Sequence, residues 1–423
     1  MADEDTQQGI SRGSMTIAAF STVVEWYDFT LYLYLASLLS RVFYGGGAES
    51  LAATLGGFAV SYLMRPLGAL VFGQVGDRFG RRRMMLWSMA LMTVAMLGIA
   101  LLPTRAAIGP AAGWLLLALR CVMAFSVGGE YTGVVAYLYE GARPERRGLV
   151  TSSASAASEV GGLLAVGISA ATVSLMPAAQ LEAWGWRIPF FVGAALAATI
   201  GIARSTLQES PEFERQQASG SVPTNPFVHA ITHHRAAIAR GFAISALGSI
   251  TYYVGIVYVP SFLTGTGAMG EGAALWLSTA AAVMVIAVTP LVGLLSDRVG
   301  RKPVLLTACA LAAILPMTMF AWMAGAGSAA LIGALVLAAL GGTVSAVGAV
   351  ATAEQLPGEG RLTGLALGAT AATAIFGGLT PLVSHLLLEA TGWVMVPGAM
   401  IAIVAVAVAP VLLTLREGAV RRC

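Results

Sequence analysis

The stretch Gly76-Asp77-Arg78-Phe79-Gly80-Arg81-Arg82-Arg83 decides the fold, because a similar stretch occurs later as Ser296-Asp297-Arg298-Val299-Gly300-Arg301-Lys302. Each copy lies between apolar runs of about 20 residues, the length that crosses the ~30 Å hydrocarbon core of a bilayer. A cationic loop at matching places in two apolar halves predicts two similar helical bundles in tandem rather than one irregular domain.

The composition also indicates a membrane protein. Hydrophobic residues make up 57% of the 423 residues and charged residues only 11%, whereas roughly 25% of the residues are charged in an average soluble protein. Twelve membrane spans with short loops would occupy nearly the whole chain. No room remains for a soluble catalytic domain, so we do not expect an enzyme.

Twelve apolar segments predict an all-α membrane protein with twelve transmembrane helices in two pseudo-symmetric six-helix bundles. The predicted bundles comprise residues 1–206 and 238–423, and a polar cytoplasmic linker, 207–237, joins them. The predicted spans are 15–43, 51–74, 84–103, 113–139, 148–175, 187–206, 238–263, 273–295, 303–325, 329–352, 362–388 and 395–415.

The basic residues predict the orientation of these spans. If the amino terminus is inside the cell, Arg41, Arg105 and Arg187 face outside, Arg65 and Arg120 lie within spans, and all other lysines and arginines fall in inner loops, tails or the linker. An excess of basic residues marks the cytoplasmic side. We therefore expect a multi-pass protein of the bacterial plasma (inner) membrane with both termini in the cytoplasm.

Cysteine and histidine do not form a recognisable metal or disulfide pattern. Cys121, Cys309 and Cys423 are far apart in sequence, which suggests neither a disulfide framework nor a metal site. His229 and His233 have a helical spacing, but no third ligand accompanies them. We expect no metal, no cofactor and no nucleic-acid partner, and a monomer whose partners are the lipid bilayer and a small solute.

Six charged side chains lie deep within predicted spans of the first half, and the second half has none at such depth. They are Glu25, Asp28, Arg65, Arg120, Glu130 and Glu159. A charge at the bilayer centre costs at least ~2.5–3.5 kcal/mol, so each is a functional candidate by default. Four acids against two arginines in a medium of low dielectric constant favour proton uptake by at least one acid.

The deep acids are candidate proton carriers. Glu25 and Asp28 are three positions apart and so share one face of the first helix, and we expect one of them to be the proton site. Arg120 would either pair with Asp28 or hold a carboxylate of the bound solute through its planar guanidinium, and Arg65 is a second candidate for solute binding. The candidate proton-coupling residues are Glu25, Asp28, Glu130 and Glu159. The structural alternative is that Asp28–Arg120 and Glu130–Arg65 are permanent pairs between helices.

Tyrosines at membrane depth are further candidates for binding the solute. Such a tyrosine needs a hydrogen-bond partner, and the solute is one candidate partner. Aromatic rings also attract a quaternary ammonium group. The candidate substrate-binding tyrosines are Tyr27, Tyr32, Tyr131, Tyr252 and Tyr253. The alternative role for them is packing between helices.

The repeated loop, Gly73-x-x-Gly76-Asp77-Arg78-x-Gly80-Arg81-Arg82 in its first copy, resembles the loop signature of the major facilitator superfamily. The resemblance implies a carrier whose loops form a charge lock that closes one side and opens as the bundles rock. It also implies that Glu140 is the gating partner of the Arg81–Arg83 loop. The candidate gating residues are Asp77, Arg78, Arg81, Arg82, Glu140, Arg147, Asp297, Arg298 and Arg301.

Further motifs resemble the metabolite:proton symporter branch of that superfamily. They are Val24-Glu25-Trp26-Tyr27-Asp28-Phe29, Arg65-Pro66-Leu67-Gly68, Ser126-Val127-Gly128-Gly129-Glu130-Tyr131 and Trp184-Gly185-Trp186-Arg187-Ile188-Pro189-Phe190-Phe191. The resemblance covers the whole chain. It implies proton-coupled import of a small carboxylate-bearing metabolite, either an organic acid or a zwitterion such as proline or betaine.

Two departures from the branch pattern refine this expectation. Met123 and Ala124 stand where the fourth helix of the family usually has Gln-Gly, so the contribution of that glutamine is missing. The sequence ends at Cys423 without the long charged coiled coil of the osmosensing betaine carriers, which favours a nutrient carrier. The alternatives are a drug:proton antiporter, which two buried arginines disfavour, and a non-transporting receptor, which would not need the retained charges and loops.

Overall fold

The protein is described by a computed structural model that covers residues 12–128, 130–209, 211–219, 226–325, 328–356 and 361–415. Gly129, Cys423 and the side chains of Asp77 and His229, all named above, lie outside the described part. Within these ranges the chain forms helices and no β-strand. The predicted all-α class is therefore confirmed.

Six helical spans precede the linker, and they lie within a few residues of the predicted segments except at the end of the first. The bounds are α1 Arg12–Tyr34, α2 Ala48–Tyr62 continued by Met64–Phe79, α3 Arg81–Ala100, α4 Ala111–Val127 continued by Glu130–Gly141, α5 Arg147–Leu175 and α6 Arg187–Arg204. Helix α1 ends at Tyr34, whereas the predicted span continued to residue 43; a short helix, Ala36–Leu39, and a π-helical turn, Ser40–Tyr44, follow it.

Six more spans follow the linker. The bounds are α7 Arg235–Tyr252 continued by Val259–Gly265, α8 Glu271–Val299, α9 Arg301–Met323, α10 Ser328–Gln355, α11 Arg361–Thr391 and α12 Val396–Leu413. Two short helices, Pro211–Ser219 and Pro226–His233, lie in the linker.

Most of these helices can cross a bilayer by length and apolarity alone. In the described part of the chain nine helices are long and apolar enough, and α7 is a tenth if its two segments, bent by 43°, count as one span. The two remaining spans, α1 and α4, do not meet this criterion. Helix α1 carries Glu25 and Asp28 among its aromatic residues, and the apolar segment of α4, Ala111–Val127, is shorter.

The repeated loops make the same turn in both halves. Gly80, between α2 and α3, has a φ of 100°, and Gly300, between α8 and α9, has a φ of 106°. Glycine adopts this left-handed region without the steric cost that a Cβ atom brings. The two glycines of the signature therefore serve the same local geometry.

Glycines also set the close approach of neighbouring helices. A Cβ atom at Gly161 of α5 would collide with the carbonyl oxygen of Val23 in α1, and one at Gly148 would lie 2.6 Å from Asp297 Oδ1 in α8. Small residues at such crossings let helix backbones pack closely inside a membrane. The α5 helix is thereby held against one helix from each part of the chain.

Two spans are interrupted by π-helical turns near the centre of the molecule. Tyr253–Val257 interrupts α7, and α11 contains two such turns, Ala366–Thr370 and Ala374–Gly378. A π-helical turn leaves the regular hydrogen-bond ladder locally and is frequent at functional sites. These turns place Tyr253 and the glycines of α11 beside one another.

We call the end of the molecule that carries the linker the linker end, and the opposite end the far end. The Glu209 carboxylate, where the linker begins, accepts the backbone N–H of Arg81 at 2.8 Å. The loop between α2 and α3 therefore lies at the linker end. Because the spans alternate in direction, the α4–α5 and α8–α9 connections lie there as well.

Candidate functional site

A cavity of about 140 Å³ lies between helices from the two parts of the chain. Helices α1, α2, α4 and α5 form one wall, and α7, α10 and α11 form the other. The polar and aromatic residues that line it are Glu25, Trp26, Arg65, Tyr131, Ser158, Glu159, Ser245, Ser249, Tyr252, Tyr253, Ser345, Thr352, Thr370 and Thr373. All charged side chains in this lining come from the amino-terminal wall.

Arg65 and Glu25 form an ion pair in the cavity. Arg65 Nη2 lies 3.6 Å from Glu25 Oε1, and both side chains are buried. Arg65 Nη1 donates a hydrogen bond of 3.1 Å to the Tyr62 hydroxyl, and its guanidinium carbon lies 4.7 Å from the centre of that ring. The Phe29 ring lies 4.5 Å from the same atom. Two rings and a hydroxyl thus fix the guanidinium while one carboxylate neutralises it.

Glu159 is the second acid of the cavity, and its surroundings differ from those of Glu25. Glu159 is only 3% exposed. The Tyr252 hydroxyl of α7 donates a hydrogen bond of 3.5 Å to Glu159 Oε2. Among the described residues no lysine, arginine or histidine lies within 4.0 Å of its carboxylate. Glu159 is therefore a buried acid whose described partner is a neutral hydroxyl.

Trp26 stands at the centre of an aromatic wall. Its ring centroid lies 5.0 Å from that of Tyr252, 6.0 Å from that of Tyr131 and 6.3 Å from that of Tyr253. The Trp26 indole N–H is buried and makes no hydrogen bond to any described residue. Tyr131 is held by a 2.9 Å hydrogen bond with Ser155. Aromatic side chains are therefore available inside the cavity.

Asp28 and Arg120 pair with each other outside this lining. Arg120 Nη1 donates to Asp28 Oδ2 at 3.0 Å, and both side chains are almost completely buried. The Tyr32 ring lies 4.7 Å from the Arg120 guanidinium carbon. The predicted Asp28–Arg120 contact is confirmed as a pair between α1 and α4.

Glu130 pairs with an arginine that the sequence did not single out. Arg204, at the end of α6, forms a fully buried ion pair with Glu130 Oε1, and Ser88 donates to Oε2 at 3.1 Å. The suggested Glu130–Arg65 pair is therefore wrong, because Arg65 faces Glu25. Arg204 was expected near the cytoplasm. The sequence feature that could have indicated a further buried arginine is the surplus of buried acids over buried arginines in α1 to α5.

Tyr27 and Tyr32 lie away from the cavity lining. The Tyr27 hydroxyl donates to the Pro189 carbonyl oxygen at 2.6 Å, and the Tyr32 hydroxyl donates to the Thr54 carbonyl oxygen at 3.1 Å. Both rings are buried among helices of the amino-terminal part. Of the five predicted tyrosines the structure brings Tyr131, Tyr252 and Tyr253 together at the cavity.

On the far-end side of the cavity, contacts between the two walls centre on Tyr62 and Tyr253. Their hydroxyl groups lie 2.9 Å apart. A Cβ atom at Gly377 would lie 2.6 Å from the Tyr253 ring, and one at Gly378 would lie 2.6 Å from the Tyr62 ring. The two glycines of α11 thus provide the space for both rings. Sequence reasoning missed Tyr62, although it lies one helical turn before Arg65.

At the linker end, charged groups bridge the two parts of the chain. Asp297 accepts the backbone N–H groups of Gly148 and Leu149, both at 2.9 Å, where α5 begins. A helix N-terminus favours negative charge. Arg361 Nη1 lies 2.9 Å from Glu140 Oε1. Arg361 of α11 is therefore a partner of Glu140 that the sequence did not indicate; the predicted partner was the Arg81–Arg83 loop.

The other predicted gating residues also lie at the linker end. Arg301 contacts Asp297 at 2.8 Å and Glu354 at 3.4 Å. Arg147 Nη1 donates to the Tyr139 hydroxyl at 3.0 Å. Arg81 donates through Nη1 to the Gly76 carbonyl oxygen, Arg82 donates through Nη2 to that of Ser205, and Arg78 and Arg298 are exposed.

Comparison with known proteins identifies the family. Residues 14–221 match the family described as "Sugar (and other) transporter", and residues 268–422 match the family described as "Major Facilitator Superfamily". The ectoine/proline transporter ProP of Corynebacterium glutamicum is 36% identical over 391 residues, which are 88% of this chain and 78% of that protein. The chain belongs to the major facilitator superfamily. Its place within it is the metabolite:proton symporter branch.

Other relatives and a solved structure agree with this assignment. The alpha-ketoglutarate permease of Escherichia coli is 33% identical, with 85% of this chain and 84% of that protein covered. A citrate-proton symporter of Klebsiella pneumoniae is 30% identical, with 93% and 89% covered. The structure of the proton:xylose symporter XylE bound to 6-bromo-6-deoxy-D-glucose superposes with a TM-score of 0.80, at 19% identity and over 96% of each chain. The last match concerns the fold alone.

Proposed function

We propose that this chain is a proton-coupled symporter that imports a small carboxylate-bearing metabolite by alternating access. The observation that carries the proposal is the Arg65–Glu25 pair, which lines the cavity between the two parts of the chain. The relatives named ectoine/proline transporter, alpha-ketoglutarate permease and citrate-proton symporter support it. They give no support to a drug:proton antiporter or a receptor.

The pair couples proton and cargo by competition for one arginine. Arginine stays charged in proteins and binds a carboxylate through two parallel hydrogen bonds. While Glu25 is ionised, it neutralises Arg65. When Glu25 takes up a proton, Arg65 loses its counter-charge, and a carboxylate of the cargo restores it. Proton and cargo therefore enter together, because each makes the other's site available.

The buried pairs outside the cavity have a different role in this proposal. Asp28–Arg120 and Glu130–Arg204 hold helices of the amino-terminal part together. Tyr27 and Tyr32 pack beside them through hydrogen bonds to backbone carbonyl oxygens. The proposed transport site thus comprises Glu25, Glu159, Arg65 and the aromatic wall, and the other candidates support its walls.

Alternating access requires the two parts of the chain to move relative to each other. We propose that residues 1–206 and 238–423 act as two bundles and that 207–237 tethers them. The contacts Asp297 to α5 and Glu140 to Arg361 would open on the linker-end side, and Tyr62–Tyr253 with Gly377 and Gly378 would open on the far-end side. Cargo would then meet the cavity from one side at a time.

The inside-positive distribution of arginine and lysine supports a cytoplasmic linker end and cytoplasmic termini in the inner membrane. On this orientation Arg41, Arg105 and Arg187 lie at the external surface. The coupling scheme uses one chain, a proton gradient and side chains of the cavity. We therefore propose a carrier that functions as a monomer without a cofactor and without enzymatic activity.

The test is uptake into liposomes that contain the purified protein. An inward proton gradient should drive accumulation of a radiolabelled cargo, and an uncoupler should abolish it. Glu25→Gln should keep exchange of labelled for unlabelled cargo but lose accumulation, because the proton site is gone while Arg65 remains.

Glu182→Gln is the matched control, because Glu182 is exposed and pairs with Arg41 at 2.7 Å away from the cavity. It should accumulate cargo normally. Accumulation that is indifferent to the uncoupler for every transported solute would overturn proton coupling. Gradient-driven accumulation in Glu25→Gln would overturn the assignment of the proton to Glu25.

A further inference from the structure

The charges of the cavity do not balance, and the imbalance restricts the cargo. Among the described residues that line the cavity, the charged side chains are Glu25, Glu159 and Arg65. Arg65 lies within 3.6 Å of Glu25, whereas Glu159 has no cation within 4.0 Å in the described part of the chain. Buried charges are normally paired. The cavity therefore has one acid more than it has cations to neutralise.

The side chains around this extra acid suit a positive charge. Tyr252 donates to Glu159 and lies edge-on to Trp26, with the ring centroids 5.0 Å apart. Tyr131 and Tyr253 complete the aromatic wall within 6.3 Å of Trp26. The faces of aromatic rings attract cations, and several rings together are suited to quaternary ammonium groups.

Tyrosine hydroxyls contact both charged groups of the site. Arg65 Nη1 donates to Tyr62 at 3.1 Å, and Tyr62 lies 2.9 Å from Tyr253. The neighbouring residue, Tyr252, reaches Glu159. The Arg65 guanidinium therefore has Tyr62 beside it, and the Glu159 carboxylate has Tyr252 beside it.

We propose that the cargo is a zwitterion whose carboxylate binds Arg65 and whose substituted ammonium group binds between Glu159 and the rings of Trp26 and Tyr252. The inference rests on the proposed symport function and specifies its substrate class. With one proton on Glu25 and such a cargo bound, every charge in the cavity has a partner: Arg65 with the cargo carboxylate, and Glu159 with the cargo ammonium.

A dicarboxylate or tricarboxylate would leave charges uncompensated in the same cavity. Its first carboxylate would neutralise Arg65, and each further one would share a buried space with Glu159. Two carboxylates close together in a medium of low dielectric constant disfavour each other's ionised form. The lining offers no second cation among its described residues to relieve this repulsion.

The decisive experiment compares two solutes of the same shape. Glycine betaine has a trimethylammonium group, and tert-butylacetate has a neutral tert-butyl group in its place with the same carboxylate. Competition against radiolabelled uptake of glycine betaine or proline should show betaine binding about tenfold more tightly than tert-butylacetate, or better, because only betaine gains the cation–π contacts. Citrate and alpha-ketoglutarate should not compete.

Variants locate the ammonium site. Glu159→Gln and Trp26→Leu should each weaken betaine binding about tenfold, since each removes part of the cation's surroundings. Neither should alter the weak binding of tert-butylacetate. Trp184→Leu is the matched control, because Trp184 is 53% exposed and lies outside the cavity lining. The thermal unfolding midpoint without ligand distinguishes lost binding from a failure to fold.

The outcomes separate the inference from the function on which it rests. Equal competition by betaine and tert-butylacetate would overturn the ammonium site. Proton-driven uptake of citrate or alpha-ketoglutarate without uptake of any zwitterion would overturn the substrate class and leave symport intact. Uptake of either class that ignores the proton gradient would overturn symport itself.

Discussion

Arg65 has the most demanding position of any side chain in the proposed mechanism. Its guanidinium lies against the rings of Phe29 and Tyr62, donates to the Tyr62 hydroxyl and faces Glu25. A planar, delocalised cation can stack on rings and still present a fork of N–H donors to a carboxylate. A lysine at this position would keep the charge but lose both properties.

Arg65→Lys should therefore separate charge from geometry. We expect the variant to fold with a nearly unchanged unfolding midpoint but to bind its cargo about tenfold more weakly, since the two parallel hydrogen bonds are lost. Equilibrium binding of radiolabelled cargo to purified protein measures this. Arg41→Lys, at the exposed Arg41–Glu182 pair, should bind normally. Normal affinity in Arg65→Lys would exclude a direct carboxylate contact.

Asp28 and Arg120 illustrate the opposite case, a pair whose removal should affect stability. Arg120→Leu alone leaves Asp28 buried without its cation and should lower the free energy of unfolding by about 3–5 kcal/mol. Replacing both residues by leucine should restore much of that loss, because an apolar pair is tolerated where one isolated charge is not. Thermal unfolding in detergent gives the comparison. A stable Arg120→Leu protein without cargo binding would make Arg120 a cargo residue.

Depth in the membrane was predictable for these charged residues, but their partners were not. The position of a residue along an apolar run gives its depth, which is why Glu25, Glu130 and Glu159 were recognised as buried. Partner choice depends on the rotation of each helix about its axis and on which helices cross. For this reason the sequence suggested Arg65 as the partner of Glu130, whereas the structure pairs Glu130 with Arg204 at the end of α6.

At the scale of helices, glycines decide which faces can touch. Gly161 and Gly167 lie in the same helix, α5, but a Cβ atom at Gly161 would collide with the backbone of α1, whereas one at Gly167 would meet nothing within 4 Å. The two positions thus form a natural pair for testing the crossing of α1 and α5.

Gly161→Ala should destabilise the protein by about 1–3 kcal/mol, because two backbones would have to separate. Gly167→Ala should be neutral or stabilise by up to about 1 kcal/mol, because alanine favours a helix over glycine. Unfolding midpoints of the two variants measure the difference. Equal midpoints would mean that the α1–α5 crossing can widen without cost.

Most helix boundaries were predicted within a few residues, whereas the early end of α1 at Tyr34 and the interruptions within helices were not. Apolar length determines where a span begins and ends, so the ends of α3, α5 and α9 followed from hydropathy alone. The π-helical turns at Tyr253–Val257 and Ala374–Gly378 lie where the rings of Tyr253 and Tyr62 pack against Gly377 and Gly378. That packing is a tertiary one, and the local sequence carries little signal for it.

At the scale of the whole molecule, contacts across the cavity at its two ends should oppose each other. Asp297→Asn weakens the contact with the start of α5, and Tyr62→Phe removes the hydroxyl contact with Tyr253. The first variant should favour opening at the linker end, and the second should favour opening at the far end. Charge at a helix N-terminus contributes about 0.3–1 kcal/mol and up to ~2 kcal/mol when partly buried.

Opening of the cavity can be measured in a Ser345→Cys variant whose native cysteines are replaced by serine. The measured quantity is the rate at which a membrane-impermeant reagent modifies the introduced thiol. Ser345 lines the cavity. When the reagent is added on the linker side, Asp297→Asn should raise the modification rate about fivefold if the lost contact contributes ~1 kcal/mol. Tyr62→Phe should lower that rate. Glu389→Gln, at the exposed Glu389 of the far end, should have no effect. A change in the same direction for Asp297→Asn and Tyr62→Phe would contradict opposing ends.

The two walls of the cavity differ in chemical character. The wall from α1, α2, α4 and α5 contains every charge of the lining, whereas α7, α10 and α11 contribute hydroxyl groups, small residues and rings. Substitutions among the small residues of the neutral wall would reshape the space offered to a solute and leave the charged groups in place. Related carriers could thereby differ in the size and shape of the solute that they accept while they keep the same charged wall.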